Sequence, residues 1–353
     1  MKHQSFRERF NGYQDFFLYG VSAHAKEVHD FLGFHGRNVI AYVDKDPKKR
    51  RHNIAGAPVI SPDDLLDNLE ENAAIIIVSA FIQEIFNYLK LNAVHENRIF
   101  PLLDGMFFPT YCAGYVNNTT LDEISLLLSP DERLYFDSWR VFKETGNIGL
   151  LRPVMSESGF QYDHKQWLVS MREGQVCLDV GAFDGTTAIH LLETGHFSKV
   201  ISFEPFDTNY RQLCSNIEKH EIASQITPIR IALGSTNREF FVEPQELSSR
   251  SRTSEENRSS GERIQERTLD SYGFESISMI KVDIEGAEIE FLRGGKETIM
   301  RNKPHLAISA YHHKSHPDQI FEFMKSLDLP FRLNVGHHPH AQYELEYYFS
   351  FTD

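Results

Sequence analysis

The run KVDIEGAE, residues 281–288, places three carboxylates, Asp283, Glu285 and Glu288, within eight residues. The apolar stretch ISMIKV precedes it and IEFLRGG follows, so the acids fall where a buried strand passes into a helix. A buried carboxylate is costly unless it is paired or used, and acids concentrated at such a place point to a site. A second run, LDVGAFDG, ends a strand pattern at Asp179, turns between Gly181 and Gly185, and opens a helix at Thr186. Glycines there let backbone N–H groups approach a ligand closely, and the helix N-terminus favours negative charge. Nineteen residues after Gly185, Glu204 closes the next strand pattern in SFEP. An acid at that point of a βαβ unit accepts hydrogen bonds from ribose hydroxyls, so a nucleoside is expected.

The turn differs from the dinucleotide pattern G-x-G-x-x-G. It reads D-x-G-x-x-x-G, carries the extra acid Asp184, and has no Lys or Arg to meet a pyrophosphate. That chemistry suits a ligand with a cationic amino-acid tail. S-adenosylmethionine has adenine, ribose, a sulfonium and a tail ammonium, which Asp179 is placed to meet.

These residues need elements to position them. From 15 to about 105, strand-like runs (DFFLY, NVIAYVD, AAIIIVSA, RIFPLL) alternate with helical ones, the pattern of a small doubly wound parallel sheet. Residues 119–145 read as helical, with Ser129 as N-cap and Pro130 at the first helical position. From 175 the alternation resumes with QVCLDV, KVISFEP, ITPIRIALG, SISMIKVDI and HLAISAYH, and the chain closes on two strands joined by a histidine-rich loop. The expected organisation is an N-terminal α/β domain over 1–105, a helical bridge over 106–160 and a second α/β domain over 161–353. The stretch PQELSSRSRTSEENRSSGERIQER is almost without apolar residues and reads as a mobile loop. Residues 245–262 are expected to close over the cleft, with Arg250 and Arg252 meeting a phosphate of the acceptor.

Composition narrows the classes. Apolar residues make up 41% and charged residues 24% of 353, ordinary for a globular protein of two domains. A formal charge of −14 argues against general nucleic-acid binding, which needs clustered Lys and Arg. The opening MKHQSFRERF has no apolar core and does not read as a signal peptide, and no run approaches a bilayer span. Cys112, Cys177 and Cys214 stand apart with no CxxC pair, which suggests reduced thiols and a cytoplasmic setting.

The runs QVCLDVGAFDGTT, KVISFEPFDTNYRQL, RIALGS, ERTLDSYG and MIKVDIEGAEIEFLRGG resemble those of FkbM-type S-adenosylmethionine-dependent methyltransferases, from about residue 160 to the end. The resemblance implies a class I, Rossmann-like methyltransferase fold of parallel strands with one antiparallel strand. It also implies O-methylation of a sugar, nucleotide-sugar, glycan or polyketide-like hydroxyl. The cofactor set expected on these runs is Asp179, Gly181, Phe183, Gly185, Thr186, Glu204, Pro205 and Ala232. Methyl transfer from a sulfonium is an in-line displacement that must also remove the hydroxyl proton. Asp283 is expected to position the acceptor, Glu285 to share the site, and His312, in YHH after the fifth strand, to act as base near pH 7. Glu288 falls in a first helical turn, where the dipole favours a carboxylate, and is expected to be structural. A divalent metal held by Asp283, Glu285, His312, His337 and His338 is the alternative to ordinary loop histidines, and it is not the favoured one.

The N-terminal domain has its own glycine turn, YGVSAHAKEVHDF, and an acid, Asp44, at its second strand end. It resembles the N-terminal domains of bacterial sugar acyltransferases that hold nucleotide sugars, which implies a recognition module. A scaffold that shapes the acceptor cleft or a homodimer contact is the other reading. For the whole chain, a nucleotide-sugar-binding or scaffold protein without turnover stands against the enzyme.

Overall fold

The computed structural model describes residues 6–51, 53–79, 81–101, 118–145, 162, 175–242, 261–336 and 344–352. The chain divides into two compact units, one of residues 1–115 with 134–154 and one of 116–133 with 155–353. Of the expected bridge, residues 118–133 therefore group with the second unit and 134–145 with the first.

The first unit opens with helix α1 (Phe6–Asn11) and alternates β1 (Asp15–Tyr19), α2 (Ala23–Phe34), β2 (Asn38–Val43), β3 (Asn53–Ile54), β4 (Ala57–Ile60), α3 (Pro62–Asn68), β5 (Ala73–Ile77), α4 (Ile82–Leu91) and β6 (Ile99–Pro101). Its sheet has the order β3-β4-β2-β1-β5-β6. The central β1–β2 and β1–β5 pairs are parallel. A parallel strand covered on both faces needs a continuous apolar run, and AAIII of β5 is buried at every position. Gly20, after β1, has φ +118, and a Cβ there would lie 2.4 Å from the Val78 carbonyl oxygen. Asp44, after β2, is held by Lys49 Nζ at 2.9 Å and by the Asp46 N–H at 2.9 Å.

Helix α5 (Asn118–Leu127) belongs to the second unit, and α6 (Pro130–Thr145) starts there and continues into the first. Tyr135, Trp139 and Phe142 of α6 are buried, as their apolar spacing predicts. The second unit then runs β7 (Gln175–Val180), α7 (Thr186–Glu193), β8 (Phe197–Phe203), α8 (Asp207–Lys219), β9 (Ile226–Ile229), β10 (Ala232–Leu233), β11 (Arg238–Val242), β12 (Glu262–Arg267) and β13 (Ile277–Val282). It ends with α9 (Glu288–Gly294), α10 (Lys296–Asn302), β14 (His305–Ser309), α11 (His316–Ser326), β15 (Phe331–Gly336) and β16 (Glu346–Phe351).

The main sheet has the order β15-β16-β14-β13-β7-β8-β9. The β7, β8, β9, β13 and β14 pairings are parallel, and β16 lies antiparallel to both of its neighbours. From β7 the chain winds outward through β8 and β9, then returns to β13 on the other side of β7. The crevice between the carboxyl ends of β7 and β13 is thus the topological switch point, where open α/β sheets bind ligands.

Two expectations change. The expected third strand divides: Ile226–Ile229 stays in the main sheet, while Ala232–Leu233 joins a small sheet of order β10-β12-β11. The end of the expected loop, residues 262–267, is strand β12, with Ile264 and Glu266 buried. Its charged composition hides a period-2 pattern whose partner, β11, lies across the intervening insert. The expected lid arginines, Arg250 and Arg252, fall outside the described residues.

At the switch point Gly181 has φ +80, and a Cβ would lie 1.8 Å from the Asp283 carbonyl oxygen. Gly181→Ala is expected to destabilise the second unit by about 2–5 kcal/mol, combining a left-handed backbone penalty with overpacking against backbone. Gly185→Ala meets only the Leu213 side chain and should cost less. Calorimetric melting of the two variants checks the order, and an unchanged transition for Gly181→Ala would contradict this packing.

Candidate active site

The glycine turn is held from below. The N–H groups of Gly181 and Ala182 both donate to the Phe203 carbonyl at 3.0 Å, which ties the turn to the end of β8. Glu204 follows directly and is only 4% exposed. Its Oε2 accepts the Phe183 N–H at 2.9 Å, and its Oε1 accepts the Phe206 N–H at 3.1 Å and the Asn209 amide at 3.3 Å. Burial pushes its carboxyl above the ordinary value, and these hydrogen bonds oppose that rise. An ionised carboxylate offers about four lone-pair sites, so Glu204 can accept one further donor. Asp184 caps the helix start by accepting the Thr186 N–H at 3.0 Å.

Beneath the turn lies a buried cation. Lys281, on β13, is 2% exposed and sits 3.0 Å from Asp179 Oδ1. Its Nζ donates to the Gly181 carbonyl at 2.6 Å. Burial alone would lower the Lys281 pKa, but the charges of Asp179 and Asp283 outweigh it and hold the amine above its ordinary value. The ammonium that Asp179 meets within the chain is therefore that of Lys281.

On the other side of β13 the acids of the opening run separate into roles. Asp283 follows the strand end, and its N–H donates to the Val180 carbonyl at 3.0 Å. Its Oδ2 accepts the Tyr162 hydroxyl at 2.7 Å. Its Oδ1 has no hydrogen-bond donor in good geometry among the described residues and faces His312 Nε2 at 3.4 Å. Glu285 is exposed, has φ +53, and stands 3.6 Å from the same nitrogen. Glu288, in the first turn of α9, is fully buried. Its Oε1 lies 2.8 Å from His312 Nδ1 and accepts the Ile284 and Gly286 N–H groups at 3.1 and 3.3 Å. Its Oε2 lies 3.2 Å from His316 Nδ1.

Three carboxylates around one ring change what His312 can do. Burial would lower its pKa, but Glu288, Asp283 and Glu285 raise it to about 10. The partner Glu288 is held well below the usual carboxylate range, because His312 and His316 outweigh its burial. His312 is thus an imidazolium near pH 7, and the expectation of a neutral histidine base is corrected. Asp283, Glu288 and His312 each bring one donor atom within 4.8 Å of the others. Glu288 Oε1 is engaged by His312 and by backbone, while Oε2 lies 3.2 Å from His316 Nδ1. His337 and His338 lie outside the described residues.

A cleft of about 720 Å3 opens over this edge, a size suited to a small-molecule ligand. Of the expected residues, Gly181, Pro205, Ala232, Glu285 and His312 line it. Asp179, Phe183, Gly185, Thr186, Glu204 and Asp283 are not part of that lining. Phe240, Val242 and Ile264 of the small sheet supply an apolar wall, and Glu290, Ser315 and Gln319 supply polar groups.

A glycine turn, a strand-end acid and a second acid across the switch point, on a sheet with one reversed strand, define a Rossmann-like methyltransferase. Residues 179–333 match the family model of the methyltransferase FkbM domain. The chain is similar to the crystal structure of methyltransferase FkbM from Methylobacillus flagellatus KT, with a TM-score of 0.72, 19% identity, and coverage of 97% of this chain and 92% of that one. At that identity the likeness concerns the fold. An rRNA methylase from Streptococcus thermophilus is similar over 53% of this chain and 92% of its own, at a TM-score of 0.35 and 14% identity, too distant to carry an argument. No curated protein matches the sequence.

Sequence reading missed Lys281, Tyr162 and Ser309. Lys281 had a signal, a lone charge inside an apolar strand, which is costly unless paired. Tyr162 had none.

His312 contributes stability with a definite sign. Its folded value of about 10 lies above its ordinary 6.5, so the contribution is complete below pH 6.5 and fades as pH rises through 10. Glu288→Gln removes the counter-charge and is expected to cost about 3–5 kcal/mol at neutral pH. Between pH 7 and 10 the wild-type melting temperature should fall more than that of the variant. Parallel pH profiles would show that the pair is not charged.

Proposed function

We propose that this methyltransferase uses S-adenosylmethionine to O-methylate a hydroxyl of a sugar, nucleotide-sugar, glycan or polyketide-like acceptor. The observation that carries the reading is Asp283 Oδ1, a buried carboxylate oxygen with no hydrogen-bond donor among the described residues, at the switch point beside the His312 imidazolium. When bound, the cofactor supplies an electrophilic methyl group on a sulfonium. Glu204 would accept a ribose hydroxyl, and the turn from Gly181 to Gly185, with Thr186 at the helix start, would hold the nucleoside together with Pro205 and Ala232. Asp179 fixes the turn through Lys281.

At the acceptor end, the Asp283 carboxylate accepts the hydroxyl hydrogen, aligns the oxygen and takes the proton as the new bond forms. His312 stands by as a fixed positive charge and limits repulsion between Asp283, Glu285 and Glu288. The cleft walls support a polyhydroxylated acceptor. Glu285, Glu290, Ser315 and Gln319 offer hydrogen bonds on one side, and Phe240, Val242 and Ile264 offer an apolar face for ring C–H groups. No described helix is long and apolar enough to cross a membrane.

Calorimetry with S-adenosylmethionine and a methyl-transfer screen over nucleotide sugars and glycan intermediates test the reading. Glu204→Ala is expected to weaken cofactor binding by about 1.5–3 kcal/mol, the worth of charged hydrogen bonds. Asp283→Asn is expected to slow transfer at least ~100-fold while cofactor affinity holds. A folded wild-type protein that gives no heat at millimolar cofactor would point instead to a binding or scaffold role.

A further inference from the structure

Tyr162 lies ahead of β7, outside residues 179–333, and belongs to none of the runs that carry the family likeness. It is nevertheless 1% exposed and packs into the core with Cys177, Met279 and Ala307. Its φ of +66 is a left-handed conformation that a bulky residue rarely adopts, so the surrounding structure holds it there. The hydroxyl donates to Asp283 Oδ2 at 2.7 Å and lies 3.1 Å from Ser309 Oγ on β14. The ring carries the Lys281 ammonium 5.3 Å from its centroid. Burial pushes the phenol well above its ordinary value, with Asp283 adding to the rise, so the group keeps its proton and acts as a donor.

We propose that Tyr162 is a positioning residue for the transfer reaction. Its hydroxyl pins one oxygen of Asp283 and leaves the other buried beside His312, so that the carboxylate holds one orientation toward the acceptor. This rests on the reading in which Asp283 meets the acceptor hydroxyl. A carboxylate free to rotate would offer either oxygen and spend part of its time paired edge-on to His312. With Oδ2 held, the orientation of Oδ1 is set before the acceptor arrives, which is how fixed polar groups lower a barrier. The same tyrosine touches Lys281, which holds the Gly181 carbonyl, so the cofactor turn and the acceptor carboxylate share one support.

The test is a double-mutant cycle in the full-length chain, because Tyr162→Phe keeps the ring and removes only the hydroxyl. Single-turnover transfer to the best acceptor from the screen should fall about tenfold or more in Tyr162→Phe, with acceptor KM and S-adenosylmethionine Kd within twofold. Adding Tyr162→Phe to Asp283→Asn should slow transfer no further, since the hydroxyl acts through that carboxylate. A wild-type rate in Tyr162→Phe, or losses that multiply in the double variant, would overturn the proposal. Should Tyr162→Phe fold poorly, Ser309→Ala loosens the hydroxyl without touching the ring and should lower the rate in the same direction. If no acceptor is methylated, the function reading fails separately, and the wiring is read from urea unfolding of the second unit. There the two substitutions should be coupled by about tenfold in the unfolding constant, and independent effects would refute the contact.

Discussion

The buried ammonium of Lys281 holds the site together. Taking a lysine out of water at the centre of a sheet is expensive, and only well-placed partners offset it. Asp179 supplies the opposite charge, the Gly181 carbonyl a strong hydrogen bond, and the Tyr162 ring a favourable face. Each partner belongs to a different part of the site: Asp179 to β7, Gly181 to the turn, Tyr162 to the segment ahead of the domain. Satisfying one charge therefore fixes three pieces of chain at the carboxyl edge of β7 and β13. The close backbone contact of Gly181 with Asp283, which leaves no room for a Cβ, follows from the same convergence.

That constraint explains why acids can crowd into so few residues. Four carboxylates, Asp179, Asp283, Glu285 and Glu288, meet two cations, Lys281 and the His312 imidazolium. Asp179 and Glu288 are fully enclosed, each beside one of the cations. Glu285 is exposed at the mouth of the cleft. Asp283 alone stands between the cations with one oxygen held and one not. The arrangement sorts chemically identical groups by environment, which is how one short run can carry both structural and reactive acids.

The first unit shows how a similar pattern can have a local cause. Its glycine turn and strand-end acid invited a ligand reading by analogy with the second unit. Gly20 is required because the Val78 carbonyl leaves no room for a side chain, and Asp44 is engaged by Lys49 and the Asp46 N–H. Glycine and acid at those positions are engaged by backbone contact and turn closure.

The sequence by itself determined the α/β alternation, the order of the strands along the chain, the glycine turn, and the positions of Glu204 and Asp283 at strand ends. These are local properties: periodicity, turn chemistry and spacing are written in contiguous residues. It also placed His312 after the fifth strand, on the edge where it is found. What only the tertiary structure decided was the ionisation and division of labour among those residues. Lys281 and Asp179 are neighbours because β7 and β13 pair, although about a hundred residues separate them. Glu288 and His312 become a buried ion pair because α9 and the end of β14 meet, and that burial turns an expected base into a fixed cation. Strand β12 was hidden because its partner lies beyond an apolar-poor insert, and Tyr162 because nothing in its neighbouring residues marks it. Electrostatic roles depend on distances between groups remote in sequence, so they belong to the folded state.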